Sequence, residues 1–331
     1  MRSGKGGQPR TILCAGALPD HVGARLATMG AVVTTDTTDE GELAAAAAGA
    51  AVIVARANAP LTATVIDAAS GLQVVARSGT GTDNVDLQAA TARGIPVVVT
   101  PDAGTDAVAE GAVAMLCALG KRLTQLTALT RDGRWADRDQ IGLLDIAGSR
   151  VGVVGYGRIG RRVAHLMRAL GAEVTFFDPY VTAEDALDRK AGSVAEVLSG
   201  CPFVSLHLPL TDETRGVVDR DLLQRCRPGS VLVNTSRGAL VRSLDDLADA
   251  LDAGWLGGVG LDVYAEEPPD QAHRLFLDPR VIATPHLMAL SPAGRARIYD
   301  DMCSGIEAVL AGRRAPVVAN PDVYSGRAKE Q

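Results

Sequence analysis

Val151–Asp178 reads VGVVGYGRIGRRVAHLMRALGAEVTFFD. It opens on a β-branched run, Val151 to Val154, and turns through Gly155, Gly157 and Gly160 at G-x-G-x-x-G spacing. Behind the glycines, Ile159, Val163, Leu166, Met167 and Leu170 recur at helical period. A second apolar run, Val174–Phe177, closes on Asp178. The order strand, tight turn, helix, strand, acid sets the fold class as α/β with a parallel sheet.

Each part of that stretch has a physical use. Gly155 permits the turn, Gly157 lets backbone approach a ligand with no Cβ in the way, and Gly160 lets the helix pack close to the strand. The helix start offers N–H groups and a positive dipole end to phosphates. The turn Gly155, Tyr156, Gly157, Arg158, Ile159, Gly160 is therefore a candidate pyrophosphate cradle. Asp178 stands 18 residues after Gly160, where a carboxylate can accept both ribose hydroxyls and repel a 2′-phosphate. The expected cofactor is NAD rather than NADP. The plainer alternative is an ordinary βαβ unit with a tight turn.

Moving outward, 331 residues suffice for two domains of ordinary size. A hydrophobic fraction of 47% suits a soluble globular chain, and a net charge of −6 argues against nucleic acid or an anionic membrane as partner. Cys14, Cys117, Cys201, Cys226 and Cys303 are odd in number and lack C-x-x-C spacing, which predicts reduced thiols, no metal site and a cytoplasmic location. Residues 1–9 are expected to be a disordered leader, not a signal peptide.

The alternation extends in both directions. Before the glycine turn, strands are expected at Thr11–Ala15, Ala31–Thr35, Ala51–Ala55, Gln73–Ala76 and Pro96–Val99, with helices at Asp20–Met29, Glu40–Ala48, Leu61–Ala69 and Leu87–Arg93. That is a complete small α/β domain. Ala107–Leu126 is expected to be one long helix, with more apolar surface than one core-facing stripe needs, so a partner subunit could cover part of it. Beyond Asp178, strands are expected at Phe203–Leu208, Ser230–Asn234, Gly258–Val263 and Val281–Ala283. Helices are expected at Ser193–Leu198, Asp219–Arg225, Leu244–Ala253 and Ala293–Leu310.

Three polar residues follow three of these strands. Arg237 lies in NTSRG, Glu267 in LDVYAEEP and His286 in TPH. Reduction of a 2-oxo acid needs a fixed cation for the carboxylate and carbonyl, a proton donor at the carbonyl oxygen, and a group orienting that donor. Arg, His and Glu meet these needs. Singly, each has an ordinary reading as a salt-bridged arginine, a turn glutamate or a capped loop histidine. Their shared placement behind a dinucleotide turn makes them the candidate catalytic set.

VVARSGTGTDNVDLQAATARGIPVVVTP, LHLPLTDETRG, NTSRGAL, LDVYAEEPP and TPH, with the glycine turn, resemble the D-isomer-specific 2-hydroxyacid dehydrogenase family over about residues 50 to 290, most closely its phosphoglycerate dehydrogenase branch. The resemblance implies two Rossmann-like, doubly wound parallel-sheet domains with an active-site cleft between them. Residues 1–104 and 291–331 would form a discontinuous, flavodoxin-like substrate-binding domain, and 105–290 the NAD-binding domain. It implies Arg237, Glu267 and His286 as catalytic residues, Glu266 being the weaker choice because the family's Glu directly precedes the Pro. His207, Thr214, Ser236 and Asp262 would line the cofactor, with Asp262 near the nicotinamide amide. The N–H groups of Ser78 and Gly79 would hold the substrate carboxylate, and Arg56 and Arg77 a phosphate or phosphonate on the substrate.

The expected activity is NAD-dependent hydride transfer at C2 of a D-2-hydroxy acid or 2-oxo acid, phosphorylated or phosphonate-bearing, by a homodimer. The alternatives are a hydroxypyruvate or glyoxylate reductase, in which Arg56 and Arg77 would be structural, and an NADH-sensing corepressor-like protein. Three departures bear on the pocket: Gly104 where such enzymes often carry Asn, Asp137 where some carry a basic residue, and Leu287-Met288-Ala289-Leu290 where small residues are usual. A C-terminal serine-sensing domain is not expected.

Overall fold

A computed structural model describes residues 10–56, 59–183 and 187–325; the expected leader at residues 1–9 lies outside them. The chain separates into two compact units, Met1–Gly104 with Pro292–Gln331, and Thr105–Ser291.

In the first unit the order is β1 (Thr11–Ala15), α1 (Asp20–Ala27), β2 (Ala31–Thr35), α2 (Glu40–Ala47), β3 (Ala50–Ala55), α3 (Ala63–Ala68), β4 (Val74–Arg77), α4 (Leu87–Ala92) and β5 (Val97–Val98). The strands form a parallel sheet in the order β2-β1-β3-β4-β5. Successive strand residues point to opposite faces, which explains the continuous apolar runs. Leu13, Ile53, Val75 and Val97 pack with Leu43, Val65 and Ile66 on one face. Ile12, Val52, Val74 and Val98 pack on the other with Val22 and Leu26, and with Met302 and Ile306 of the late helix Pro292–Leu310. That helix brings the chain back to its first unit, so the unit is built from both ends of the sequence.

The second unit begins with α5 (Thr105–Gly120) and α6 (Leu123–Arg131), followed by β6 (Arg150–Val154), α7 (Arg158–Ala169), β7 (Glu173–Phe177) and β8 (Arg189–Lys190). It continues with α8 (Val194–Gly200), β9 (Phe203–Leu206), α9 (Arg220–Leu223), β10 (Ser230–Asn234), α10 (Leu244–Asp252), β11 (Leu256–Leu261) and β12 (Val281–Ala283); α11 is Pro292–Leu310 of the first unit. The sheet order is β12-β11-β10-β9-β6-β7-β8, with every described pairing parallel. One face packs on α5 and α7 through Met115, Leu116, Leu119, Val163 and Met167. The other packs on α8, α9 and α10 through Val197, Leu198, Leu223, Leu247 and Leu251.

The long helix expected over Ala107–Leu126 is two helices. Arg122 takes a left-handed φ of 50° between α5 and α6. Its guanidinium donates to the Gly257 and Gly142 carbonyls, so tertiary contacts hold the turn that follows Gly120, the last residue of α5. The buried stripe of α5 faces its own sheet. Leu170, expected on the buried side of α7, is instead 46% exposed. No described helix is long and apolar enough to cross a membrane.

Candidate active site

The strand order of the second unit reverses direction between β6 and β9, and loops past the carboxyl ends at such a point splay apart and leave a crevice. The glycine turn follows β6 there. Gly155 has φ +90°, and a Cβ on it would stand 2.6 Å from the carbonyl of His207, which follows β9. Gly160 has no room either, because its Cβ would run into the Gly155 carbonyl. At Gly157 a Cβ would meet nothing within 4 Å, so the open side of the turn faces free space. Gly157 caps α7 without a side-chain hydrogen bond, so the positive end of the helix dipole faces the open side of the turn. Arg158 and Ile159 are the first residues of α7.

Asp178 follows β7. Its carboxylate accepts from the Tyr156 N–H at 2.8 Å and from the Tyr180 N–H at 2.9 Å, which fixes the acid at the edge of the turn with acceptor capacity to spare. Tyr156, expected with the cofactor residues, is placed differently. Its ring is buried and stacked on Phe176 at 4.0 Å, its hydroxyl bonds Asp188, and its N–H is taken by Asp178. It braces the turn from beneath.

His207 places Nε2 at 2.8 Å from Ser205 Oγ, while its buried Nδ1 has no partner among the described residues. Burial pushes this imidazole down to about 3, so it is neutral at working pH. Thr235, just past the end of β10, also buries a hydroxyl with no partner among them. Two orphaned polar groups on adjacent strand ends, beside an uncapped helix start and a fixed acid, fit a dinucleotide lying across the crevice. Thr214 is engaged locally: its hydroxyl donates to the Pro209 carbonyl at 2.7 Å and its turn is closed by Thr211.

Arg237, Glu267 and His286 follow β10, β11 and β12, three neighbouring strands. His286 Nδ1 lies 2.8 and 3.0 Å from the two Glu267 oxygens, leaving Nε2 as the outward nitrogen. Glu267 Oε1 also accepts the Tyr264 N–H at 3.1 Å, whereas Glu266 has no such partner among the described contacts. The Glu267 hydrogen bond raises the proton affinity of His286, against opposing contributions from burial and Arg237. Burial pushes Glu267 up, but His286, the Tyr264 N–H and Arg237 outweigh it and leave it below its ordinary range.

Asp262 is 2% exposed, and its carboxylate accepts from Thr284 Oγ1 (2.6 Å), Leu287 N (3.0 Å) and Met288 N (3.2 Å). It thereby straps the loop in which His286 holds a left-handed φ of 53°. Tyr264 adds a second strap through its hydroxyl on the Thr284 carbonyl at 3.0 Å. Met288 seats its side chain on Gly111 of α5, its Cβ 3.2 Å from where a Gly111 Cβ would stand. A buried residue that sequence reasoning leaves inside a strand, Asn234, organises the Arg237 loop. Its Oδ1 accepts the Ser236 N–H and hydroxyl, and its Nδ2 donates to the Arg237 carbonyl.

In the first unit, Arg77 is 7% exposed and donates to the Gly81 and Ala55 carbonyls, propping the Ser78–Gly81 loop. Arg56 is exposed and spends one donor on the Ala17 carbonyl. Gly79 has φ +152° and open space where a Cβ would point. In the second unit, Asp137 pairs with Arg134 at 2.8 Å.

Glu267→Gln gives a pH test of the pair. A raised His286 contributes stability below its unfolded value and loses it as pH rises through the folded one. The depressed Glu267 contributes above its unfolded value and loses it as pH falls through the folded one. The charged pair thus exists between the two folded values. With Gln, His286 loses the carboxylate, and any rate that needs its proton should fall off at lower pH than in the unaltered protein. An unmoved alkaline limb in a pH–rate profile would show that Glu267 does not tune His286.

Residues 113–288 match the family described as D-isomer specific 2-hydroxyacid dehydrogenase, NAD binding domain. The D-3-phosphoglycerate dehydrogenase of Mycobacterium leprae (strain TN) is 38% identical over 313 residues, covering 94% of this chain and 59% of that protein. The chain therefore spans less than two thirds of the length of such relatives. A solved protein of Thermus thermophilus superposes with a TM-score of 0.85 at 35% identity, over 93% of this chain and 99% of that one. The NADPH-dependent glyoxylate/hydroxypyruvate reductase of Sinorhizobium meliloti, solved with NADP and malonate, gives 0.84 at 28% identity, over 96% and 98%.

Proposed function

The chain belongs to the D-isomer-specific 2-hydroxyacid dehydrogenase family, and we propose that it reduces a 2-oxo acid, or oxidises the matching D-2-hydroxy acid, with a nicotinamide dinucleotide. The observation that carries this reading is the His286–Glu267 pair at 2.8 Å beyond the same row of strand ends as the glycine turn. When bound, the nicotinamide supplies or accepts the hydride. This chain's residues then have four tasks. Arg237 holds the carboxylate and polarises the carbonyl by a charged fork. His286 gives its proton to the carbonyl oxygen in reduction and takes it back in oxidation. Glu267 keeps the imidazole oriented and favours its charged form. Ser78 and Gly79 offer N–H groups to the substrate carboxylate.

The cofactor we propose is NAD, because Asp178 is held by two backbone N–H groups where a 2′-phosphate would meet its charge. The cradle is Gly157, Arg158, Ile159 and the α7 start, with His207 and Thr235 presenting orphaned groups and Ser236 and Asp262 beside them. The 105–290 portion would carry the cofactor and the two chain ends the substrate. We further propose a homodimer covering the exposed Leu123, Trp135 and Leu143; a monomer mass at working concentration would end that reading.

A phosphorylated or phosphonate-bearing acid is the substrate class favoured by similarity to the phosphoglycerate dehydrogenases. Of the two arginines, the exposed Arg56 is the stronger candidate for that role, since Arg77 is buried against carbonyls. NADH oxidation should be followed with phosphohydroxypyruvate, phosphonopyruvate, hydroxypyruvate, glyoxylate and 2-oxoglutarate. Arg56→Ala should raise KM for a phosphorylated acid by about tenfold, one charge-assisted hydrogen bond's worth, and leave hydroxypyruvate unchanged. Equal effects on both acids would favour the second reading, a hydroxypyruvate or glyoxylate reductase resembling the Sinorhizobium meliloti enzyme. Cofactor binding with no turnover on any acid would sink the dehydrogenase reading and favour an NADH-sensing protein.

A further inference from the structure

Arg237 has the most exacting task in the site, and its guanidinium donates through Nη1 to the carbonyl of its own neighbour Ser236 at 2.7 Å. It follows a strand in an extended conformation, φ −141° and ψ 131°, with a glycine after it. Its backbone is gripped by the side chain of Asn234. That residue is 0% exposed, the last of β10, and both ends of its amide are used. Oδ1 accepts the Ser236 N–H at 3.1 Å and the Ser236 hydroxyl at 3.0 Å, and Nδ2 donates to the Arg237 carbonyl at 2.8 Å. The Asn234 carbonyl in turn accepts the Asp262 N–H at 3.1 Å, tying the loop after β10 to the loop after β11. Gly238 lies flat against the Tyr264–Ala265 backbone, where a Cβ would collide.

We propose that Asn234 is a positioning residue for Arg237, its buried amide clamping residues 236 and 237 so that the guanidinium is presented to the His286–Glu267 pair. Asparagine is the side chain that fits, because the clamp needs an acceptor and a donor on one short planar group. Aspartate would set an oxygen against the Arg237 carbonyl, and alanine would leave a partly buried N–H and C=O without their partner. The inference rests on the proposed role of Arg237, and its test separates the two.

Among the described residues, three groups bear on His286 electrostatically: Arg237 from the loop after β10, and Asp262 and Glu267 from the loop after β11. Arg237 opposes protonation of His286, so a displaced guanidinium makes the imidazole easier to protonate. Asn234→Ser, Arg237→Ala and the double variant are compared by kcat/KM for the 2-oxo acid, by KM for NADH and by 15N-detected titration of His286. Each single variant should lose about tenfold to a hundredfold in kcat/KM, with KM for NADH little changed. The double variant should be no worse than Arg237→Ala alone, since a positioning residue acts only through the group it positions.

The His286 titration should move to higher pH in both single variants, and this readout needs no turnover. It therefore tests the clamp even if the dehydrogenase reading fails. Additive losses, or an unmoved titration in a folded Asn234→Ser protein, overturn the proposal. Should that variant not fold, the unaltered protein still decides. Slow exchange of the Asn234 side-chain amide protons supports the clamp, and exchange at the rate of a free amide overturns it.

Discussion

His286→Ala is expected to lower kcat by about 10²–10⁴, the usual weight of a positioned acid–base group. The loss should fall on kcat more than on KM for NADH, because His286 belongs to the β12 loop and the glycine turn to β6, with three strands between them in the sheet order. Fold stability should hardly change: the side chain is 44% exposed and its principal partner is one carboxylate, itself 36% exposed. Stopped-flow reduction of the preferred 2-oxo acid measures the effect. Turnover within a few-fold of the unaltered protein would remove His286 from the proposed mechanism and with it the role given to Glu267.

Gly155→Ala is expected to abolish measurable NADH binding and to lower the melting temperature. Two independent penalties act at this position. A side chain at φ +90° carries a conformational cost of about 1–3 kcal/mol. The added Cβ would also stand 2.6 Å from the His207 carbonyl and 2.8 Å from the Leu208 nitrogen, so the turn after β6 would have to move away from the loop after β9. That movement distorts the crevice at the strand reversal. Gly157→Ala makes the control: its Cβ meets no protein atom, so the fold should stand while cofactor affinity falls. Titration of NADH fluorescence alongside thermal melting reads both; a Gly155→Ala protein that binds NADH normally would show that the turn is not the cradle.

The alternation of short apolar runs with helical repeats is enough to read the five strands of the first sheet and six of the seven of the second, because parallel strands covered on two faces leave continuous Val, Ile and Leu tracts. Arg237, Glu267 and His286 are legible because each stands in a short motif just beyond such a tract. What is not legible depends on contacts distant in sequence. The break at Arg122 is held by a carbonyl 135 residues away, and its one local sign is Gly120 at the end of α5, a glycine that an apolar helical pattern also tolerates. The two-residue strand Arg189–Lys190 is polar and too short to show a period. Tyr156 stands in the glycine turn, but loop periodicity does not tell which way a ring points, and Phe176 and Asp188 draw it inward. Arg77 reads from sequence as a fork for the substrate, because its acceptors are backbone carbonyls, which no sequence displays. Asn234 is hidden for the opposite reason: it closes a strand pattern, so its turn-forming amide looks like a strand end.

The seating of Met288 on Gly111 makes two positions 177 residues apart answerable to each other. A methyl at 111 collides with the thioether, and a glycine at 288 leaves a notch in the helix surface beneath the His286 loop. The collision obliges the flexible thioether to swing aside and the loop at the Met288 Cβ to give slightly, so each position sets what the other accommodates most easily. Lineages that keep a small residue at 288 should be free to place alanine or serine at 111, while those with a long side chain at 288 should favour glycine there. An alignment of relatives in which the two positions vary independently would refute that linked inheritance.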